Sequence, residues 1–464
     1  MNQKINFKNI ITILTTLTIT YSLNTIYSQD YSKYVRISGK ITNPNSDKIY
    51  LRGINYNKVI NVNANGTFKD TLVINEGSFT FNDTKESTAL YLVPGYSLNI
   101  SFDGKEFDET IKYTGIGEKP NNFNASYFLF NEKNSLDYET NKKIANQEYF
   151  DHELKMYEST IKLLNEHNIN SQRFIDNQKD KFYFSLLSNL ISRLGDDYFS
   201  GNTNDIITKY FDKETNKIDF KDRSLFKSNQ NFKNLFNTYF VSALTTGDIN
   251  SFEIFNEELV EIQKKSIIKT LKRGISFYNM GKLDNYYKTI LKIAPNDEDL
   301  NTIKEKYDKI VSLKQGSPSP FFNYPDSSGN NVSLESLKGK LVYIDVWATW
   351  CGPCKAQMPF LKQLEEQFRE DNIAFVSLSI DELTNISKWK DMIVDKELQG
   401  IQIIADKAWK SQFVSDYVIE GIPRFILIDK NGNLLDPIAP RPATFKDGEM
   451  VLNTEILKLF DENF

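Results

Sequence analysis

The sequence predicts a multidomain chain, with an N-terminal all-β domain of sandwich or barrel type, a central all-α region and a C-terminal α/β domain. Short alternating apolar segments bounded by turn residues fill positions 30–118, and apolar residues at helical spacing fill positions 119–313. From 314 to 464, β-like and α-like segments alternate, which is typical of an α/β domain. A chain of 464 residues is also too long for one hydrophobic core.

Residues 1–29 resemble a secretory signal peptide. Lys4 and Lys8 precede the uncharged stretch Ile10–Ile26, and Ser28-Gln29 offers a cleavage position. Several threonines dilute the apolar stretch, so an uncleaved anchor helix is the alternative. Both interpretations predict export to the periplasm or cell envelope.

The segment 30–118 is predicted to form short strands. Val35–Ile41 alternates apolar and polar residues, and Asn65-Gly66 is a tight-turn signal between two candidate strands. Further predicted strands are Lys48–Leu51, Ser78–Phe81, Ala89–Val93 and Ser97–Phe102. Such even spacing favours a small sandwich or barrel. No group of His, Asp or Glu residues has metal-ligand spacing here, so we expect a structural or docking module.

The segment 119–313 is predicted to be helical. Its clearest apolar helix face consists of Phe182, Leu186, Leu187, Leu190, Ile191 and Leu194. Further predicted helices are Met156–Leu164, Phe232–Leu244, Phe255–Ile275 and Ile303–Leu313. The two histidines of the chain, His152 and His167, lie here, and we interpret them as solvent-facing rather than as zinc ligands.

The proline-rich segment Gln315–Pro320 separates the helical region from the α/β domain. The predicted strands that follow are Leu341–Val346, Ile373–Ile380, Ile401–Ala405 and Arg424–Asp429. The predicted helices are Pro353–Arg369, Ile386–Val394, Ala408–Tyr417 and Glu449–Phe460. This order predicts an α/β module of about 150 residues, the size of a thioredoxin.

The chemistry of the chain is concentrated in Cys351-Gly-Pro-Cys354, which contains the only two cysteines of the sequence. Disulfide exchange needs a thiolate nucleophile and a second thiol that resolves the mixed disulfide. At the junction of strand and helix, Cys351 is expected to expose its sulfur at a helix N-terminus, where N–H groups and the helix dipole stabilise a thiolate. Cys354, one turn further, is the predicted resolving thiol, and Pro353 stiffens the first turn.

Asp345 lies inside the predicted strand before the cysteines, where burial should raise its pKa and let it exchange a proton with Cys354. The alternative is an aspartate that reaches water or a lysine at the strand end. Trp350 is expected to offer an apolar surface to substrates. Ile422-Pro423 precedes an apolar strand, and a cis bond there would place a backbone edge beside the cysteines, although most X–Pro bonds are trans.

Residues from about 315 onward resemble the TlpA/ResA-like thioredoxin family of exported bacterial disulfide reductases. The motifs that carry the resemblance are Gly316–Phe322, Val332–Lys340, Trp347–Cys354, Met358-Pro359, Gly421–Pro423 and Leu427–Gly432. The resemblance implies a thioredoxin fold, a cis bond at Pro423, Cys351 as nucleophile and Cys354 as resolving thiol. Gly352, Pro353 and Ile422 are expected to join Trp350 in contacting substrate. The upstream β region is similar to a small domain often fused to such modules.

Two positions depart from the family pattern and are candidates for tuning the site. Gln357 stands where many members have glutamate; it cannot titrate, so proton transfer would depend more on Asp345. Arg424 stands where the family usually has threonine. If Arg424 faced the thiols it would lower the pKa of Cys351, and a surface role is the alternative.

The sequence therefore predicts an exported thiol–disulfide oxidoreductase, a reductase of protein disulfides, that needs no metal or cofactor beyond a redox-active Cys351–Cys354 disulfide. Expected partners are disulfide-containing client proteins, with apocytochrome c among the compatible ones, and a membrane electron donor of the DsbD/CcdA type. A net charge of −5 argues against nucleic acid as a partner. The alternatives are a peroxiredoxin-related thiol peroxidase and a non-enzymatic envelope binding module.

Overall fold

The computed structural model describes residues 33–201, 205–446 and 449–463. The predicted signal peptide lies outside these ranges. The chain forms two compact units that divide between Ser242 and Ala243. The domain boundaries drawn from the sequence stay predictions. In the described ranges, no helix is long and apolar enough to cross a membrane.

The first unit begins with a β-sandwich. Its strands are β1 (Val35–Thr42), β2 (Lys48–Gly53), β3 (Tyr56–Asn61), β4 (Thr67–Leu72), β5 (Gly77–Asn82), β6 (Ser87–Leu92), β7 (Ser97–Asp103) and β8 (Lys112–Ile116). They form two four-stranded sheets of order β4-β1-β7-β8 and β3-β2-β5-β6. Alternate residues of both sheets share one apolar core, in which Leu51, Phe81 and Ile100 are fully buried. The all-β prediction is confirmed.

Helices make up the rest of the first unit. They are α1 (Phe107–Thr110), α2 (Glu118–Asn134), α3 (Tyr138–Lys143), α4 (Asn146–Glu166), α5 (Gln172–Leu194), α6 (Asp196–Phe199), α7 (Ile206–Thr215) and α8 (Arg223–Ser228), with α9 (Gln230–Thr246) at the boundary of the units. The apolar face predicted in α5 is buried, with Leu187, Leu190 and Ile191 at 0% exposure. The central all-α prediction is confirmed.

The helix predicted over Phe255–Ile275, near the start of the second unit, is interrupted. The helical segments that open this unit are α10 (Ile249–Glu253), a π-helical turn (Ile254–Glu258), α11 (Glu261–Gly274), a 3-10 segment (Phe277–Lys282), α12 (Leu283–Ile293) and α13 (Leu300–Ser312). A continuous helix over Phe255–Ile275 is therefore wrong. Leu259 has extended backbone angles and its side chain is buried, and the Val260 N–H donates to the side chain of Gln263, which starts a new helix.

The C-terminal α/β domain is built on one five-stranded sheet. Its strands and short hairpins are β9 (Asn323–Pro325), β10 (Asn331–Ser333), β11 (Leu341–Trp347), β12 (Ile373–Ser379), β13 (Ile401–Ile404), β14 (Arg424–Ile428), β15 (Leu434–Asp436), β16 (Ala443–Lys446) and β17 (Glu449–Leu452). The sheet order is β13-β12-β11-β14-β15, with β11, β12 and β13 parallel and β14 antiparallel to β11. Every residue of β11 is buried because both faces of the sheet are covered.

The main helices of this domain are α14 (Gly352–Gln367), α15 (Ile386–Asp395), α16 (Gln412–Asp416) and α17 (Thr454–Asp461), with 3-10 turns at Glu335–Leu337, Leu383–Asn385 and Ala408–Lys410. The predicted helix over Glu449–Phe460 is wrong in its first turn, since Glu449–Leu452 pairs with β16. The Asn453 side chain then accepts the Glu455 N–H at 3.0 Å and starts α17. The helix predicted over Ala408–Tyr417 is divided into the 3-10 turn Ala408–Lys410 and α16, because Ser411 caps α16.

Candidate active site

The two cysteines lie where the central strand gives way to a helix. β11 ends at Trp347, and Cys351 is the N-cap residue of α14. Cys351 and Cys354 form a disulfide. The Cys354 N–H donates to Cys351 Sγ at 3.1 Å, and Pro353 occupies the first turn. The Cys351 sulfur thus lies at the positive end of a sixteen-residue helix and accepts a backbone N–H. Both features would stabilise a thiolate after reduction.

Both cysteine residues are buried in the disulfide-bonded protein, at 4% exposure for Cys351 and 2% for Cys354. Exposure of the Cys351 sulfur itself stays a prediction. The Cys351 N–H donates to the Ala348 carbonyl at 3.0 Å, and this tight turn together with the disulfide holds the residue against the protein. The chain neighbours of the two cysteines, Trp350, Gly352, Pro353 and Lys355, are all exposed.

The loop before the motif is anchored by Asp381, a residue that the sequence analysis missed. Its carboxylate accepts the Thr349 N–H at 2.8 Å and the Thr349 hydroxyl at 2.7 Å. The Ser379 hydroxyl donates to the same carboxylate at 2.8 Å, and Asp381 is fully buried. Asp381 lies 32 positions from Thr349, so only the placement of β12 beside β11 could have indicated this contact.

Asp345 lies in the middle of β11, opposite Ser377 of β12 and Phe425 of β14. It is 5% exposed, and its Oδ1 has no hydrogen-bond partner among the described residues. Burial, with a smaller contribution from the nearby carboxyl of Glu365, raises the pKa of Asp345 to about 8. The structure thus keeps a proton available on a carboxyl group in the strand that leads to the cysteines.

Glu365 is a second buried carboxyl group, and the sequence analysis also missed it. It is 8% exposed, and burial raises its pKa to about 7, while Lys362 opposes this shift. The spacing of residues along α14 could have indicated that Glu365 lies on the buried face of the helix. Cys354, Met358, Leu361 and Glu365 follow one another at spacings of four, three and four, which places them on one face of α14.

The Ile422-Pro423 peptide bond is cis, as the family resemblance implied. It directly precedes β14, whose first residue, Arg424, is paired with Val346 at the end of β11. Pro423 is buried and Ile422 is half-buried. The cis bond and the cysteine motif therefore lie at the same edge of the sheet, and contact of Ile422 with substrate stays a prediction.

Arg424 is buried at the start of β14. The residue is 8% exposed, so a surface role is wrong. Its guanidinium donates to the carbonyls of Val418, at 3.2 Å, and Pro437, at 3.4 Å, and lies 5.1 Å from the ring centre of Phe277. Two carbonyls of the α/β domain and one ring of the preceding helices thus hold the guanidinium, and an effect of Arg424 on the thiols stays a prediction.

Gln357 binds a backbone segment rather than tuning a charge. The Ala443 N–H donates to Gln357 Oε1 at 2.8 Å, and Gln357 Nε2 donates to the Ala443 carbonyl at 3.3 Å. The side chain is 6% exposed. A neutral amide offers both a donor and an acceptor, so it fixes the β16–β17 hairpin to α14 through both backbone groups of one residue.

Trp350 is the most exposed large side chain next to the cysteines, at 56% exposure. The ring of Trp409, which is 42% exposed, lies 6.3 Å away. The two indoles form an apolar surface beside the motif, and Trp409 was not predicted. A role for Trp350 in contacting substrate stays a prediction.

The histidines are half-buried, so each faces solvent only in part. His152 Nε2 lies 2.9 Å from the Asn134 carbonyl, and His167 Nδ1 lies 2.9 Å from the Leu163 carbonyl. Within the ranges that the structure describes, no group of three or more His, Cys, Asp or Glu residues could hold a metal ion.

Comparison with known proteins links the C-terminal domain to redox proteins. The Redoxin family profile matches residues 314–450. The thiol-disulfide oxidoreductase ResA of Bacillus cereus is 32% identical over 126 residues, which cover 27% of this chain and 70% of that protein. ResA of Bacillus subtilis is 34% identical over 124 residues, or 27% of this chain and 66% of that protein.

Solved structures also resemble this part of the chain. The thioredoxin domain of a thiol-disulfide oxidoreductase from Bacteroides vulgatus is 25% identical, with a TM-score of 0.27. The match covers 32% of this chain and 98% of that domain.

Proposed function

Because the chain belongs to the ResA-like family of thiol–disulfide oxidoreductases, we propose that it is an exported reductase of protein disulfides in the cell envelope. The observation that carries the proposal is the Cys351–Cys354 disulfide at the N-terminus of α14, with a donor N–H on the first sulfur. The buried Asp345 and the cis bond before β14 complete the arrangement.

The chemistry follows from this geometry. In the reduced protein, the Cys351 thiolate attacks one sulfur of a client disulfide and releases the other client sulfur as a thiolate. The Cys354 thiol then loses its proton to the ionised form of Asp345, which is the minor form at neutral pH because its pKa is about 8. Cys354 attacks Cys351, which forms the intramolecular disulfide and frees the second client sulfur. Two electrons pass from the protein dithiol to the client.

The reducing direction is tested by the reduction potential of the dithiol pair. The Gly-Pro dipeptide between the cysteines is that of thioredoxin, so we expect a reduction potential of about −270 mV rather than the ~−120 mV of a strong oxidant. Equilibration of the full chain with glutathione buffers of known ratio gives this potential. A value above roughly −150 mV would refute the reductase proposal.

Trapping tests the assigned roles of the two cysteines and identifies the clients. Cys354→Ser should accumulate mixed disulfides through Cys351, because the resolving thiol is missing. Cys351→Ser is the matched control and should trap far less, since Cys354 is 2% exposed. Equal trapping by both variants would contradict the assignment.

Export and the electron donor belong to the same proposal. The segment 1–29 supports export, and an oxidising envelope would require a membrane donor of the DsbD/CcdA type to keep the pair reduced. Fractionation of cells, with mass determination of the mature protein, tests the first point. The redox state of the pair in cells with and without such a donor tests the second; a pair that stays reduced without it contradicts the donor assignment.

A further inference from the structure

A narrow cavity adjoins Asp345 on the side of the sheet that α14 covers. It is lined by Asp345 and Trp347 of β11, by Gln402 of β13 and by Glu365 of α14. The cavity has room for about one water molecule. Apart from Asp345, none of these residues was assigned a part in the proton transfer described above.

Three side chains on this cavity carry buried polar atoms that are not hydrogen-bonded within the described protein. The atoms are Asp345 Oδ1, Trp347 Nε1 and Gln402 Oε1. Buried polar atoms without a partner cost about 1–3 kcal/mol each, so native proteins place water or a functional group at such points. One water could accept from the indole N–H and donate to both oxygens.

The other end of the cavity reaches the surface. Gln399, which is exposed, and Lys362, which is half-buried, also line it. The Glu365 carboxylate lies against the loop that follows α15, since a Cβ added to Gly400 would meet Glu365 Oε1 at 2.8 Å. The cavity thus runs from a buried carboxyl group, past a second one, towards solvent.

The groups that could perturb this pair of carboxyls are few. Lys362, on the same helix as Glu365, lies 3.4 Å from Glu397 of the loop after α15. Tyr343 is the ionisable neighbour of Asp345 within β11, and burial raises its pKa so that it stays neutral. Glu365 is therefore the charged group that Asp345 senses most strongly.

We propose that Glu365 is a proton-relay residue that connects Asp345 to solvent through this cavity. Glu365 follows Cys354 by eleven positions, about 16 Å along the helix, so it can act on the thiols only through Asp345. The proposal rests on the oxidoreductase function stated above.

The relay carries the proton of Cys354 out of the protein. Cys354 gives its proton to the Asp345 carboxylate as its sulfur bonds to Cys351, and the client sulfur leaves as a thiolate. The proton then passes from Asp345, through water in the cavity, to the Glu365 carboxylate and on to solvent. The client thiolate takes a proton from solvent, so the proton lost by Cys354 is balanced by one gained by the client.

The test uses the reduced full chain and a small aromatic disulfide that releases a coloured thiolate at each sulfur–sulfur exchange. The second release reports attack by Cys354 and is measured from about pH 5 to pH 9. We expect Glu365→Gln to slow this phase roughly tenfold at its plateau. Its midpoint should also move to lower pH, because a neighbouring carboxylate no longer opposes ionisation of Asp345.

Glu366→Gln is the matched control, because Glu366 is exposed on the adjacent position of the same helix. If Glu365→Gln has the same plateau as this control, the relay is refuted. If Glu365→Gln does not fold, the test uses Gln402→Leu, whose apolar side chain blocks the cavity from the side of the sheet. It should slow the same phase, and a plateau equal to that of the unmodified protein would refute the relay.

The probe separates this inference from the proposed function. A small aromatic disulfide reacts with any reactive dithiol, so the relay can be tested even if the protein does not reduce disulfides of folded proteins. Failure to reduce protein disulfides, with normal reaction of the small probe, would refute the function and leave the relay measurable.

Discussion

At the scale of single residues, the site depends on a carboxyl group that is kept protonated near neutral pH. Burial raises the pKa of Asp345 to about 8, far above its ordinary value of 3.8. Between about pH 4 and pH 8, the folded protein therefore holds on Asp345 a proton that the unfolded chain has largely lost. A proton held in this way has a thermodynamic consequence as well as a catalytic one.

We expect Asp345→Asn to remove a pH dependence of stability. A raised folded-state pKa means that the folded state binds more protons than the unfolded state between about pH 4 and pH 8, so the free energy of unfolding falls as pH rises through this window. The variant should show a flatter dependence and greater stability at about pH 8 than the unmodified protein. It should also resolve mixed disulfides roughly a hundredfold more slowly.

Urea unfolding followed by tryptophan fluorescence measures this effect, because all four tryptophans lie between Trp347 and Trp409 and report on the C-terminal domain alone. Asp371→Asn, at an exposed position, is the control. Parallel pH curves for the unmodified protein and Asp345→Asn would show that Asp345 does not titrate in this range.

At the scale of elements, the site is held by contacts that join distant segments to β11 and α14. Asp381 fixes the loop before the cysteines, and Gln357 fixes the β16–β17 hairpin to the helix. Both side chains are buried and each forms more than one hydrogen bond, so each constrains the position of an element rather than a reacting atom.

We expect Gln357→Ala to destabilise the C-terminal domain by about 1–3 kcal/mol, since it removes two hydrogen bonds and leaves both backbone groups of Ala443 without their partner. Urea unfolding by tryptophan fluorescence gives the value. Gln363→Ala, at an exposed position of the same helix, should change stability little. Equal effects of the two substitutions would mean that the contact with Ala443 contributes nothing.

At the scale of the whole molecule, the second unit joins the α/β domain to the helices before it. The Arg424 guanidinium lies over Phe277, and Lys306 lies 2.7 Å from Glu420. The segment Gln315–Pro320 connects the two parts, and it is itself tied to the domain, since the Gly316 N–H donates to the Leu434 carbonyl at 2.7 Å. The linker predicted from the sequence is thus part of a packed junction.

We expect Arg424→Met to loosen this junction, with a loss of about 1–3 kcal/mol from the cation–π contact and the two hydrogen bonds. Trypsin should then cleave faster after the exposed Lys314, because local opening controls access to the linker. Timed digestion of the full chain measures this. Arg441→Met, at an exposed position, serves for comparison, and equal cleavage rates would contradict the role of Arg424.

The sequence predicted what local patterns determine. The strand before the cysteines, the helix after them and the burial of Asp345 all follow from a continuous apolar run and a Cys-x-x-Cys motif. Asp381 and the strand Glu449–Leu452 were missed because each is defined by a partner segment brought close only by the fold. The contact of Arg424 with Phe277 joins positions on either side of the linker, which no local pattern indicates.

In the disulfide-bonded site both cysteine residues are buried, with exposures of 4% and 2%. A thiol that reduces this disulfide must therefore approach along the exposed side formed by Trp350, Gly352 and Pro353. Under the proposed function, we expect a donor whose surface fits these residues to reduce the pair faster than a small thiol of equal potential.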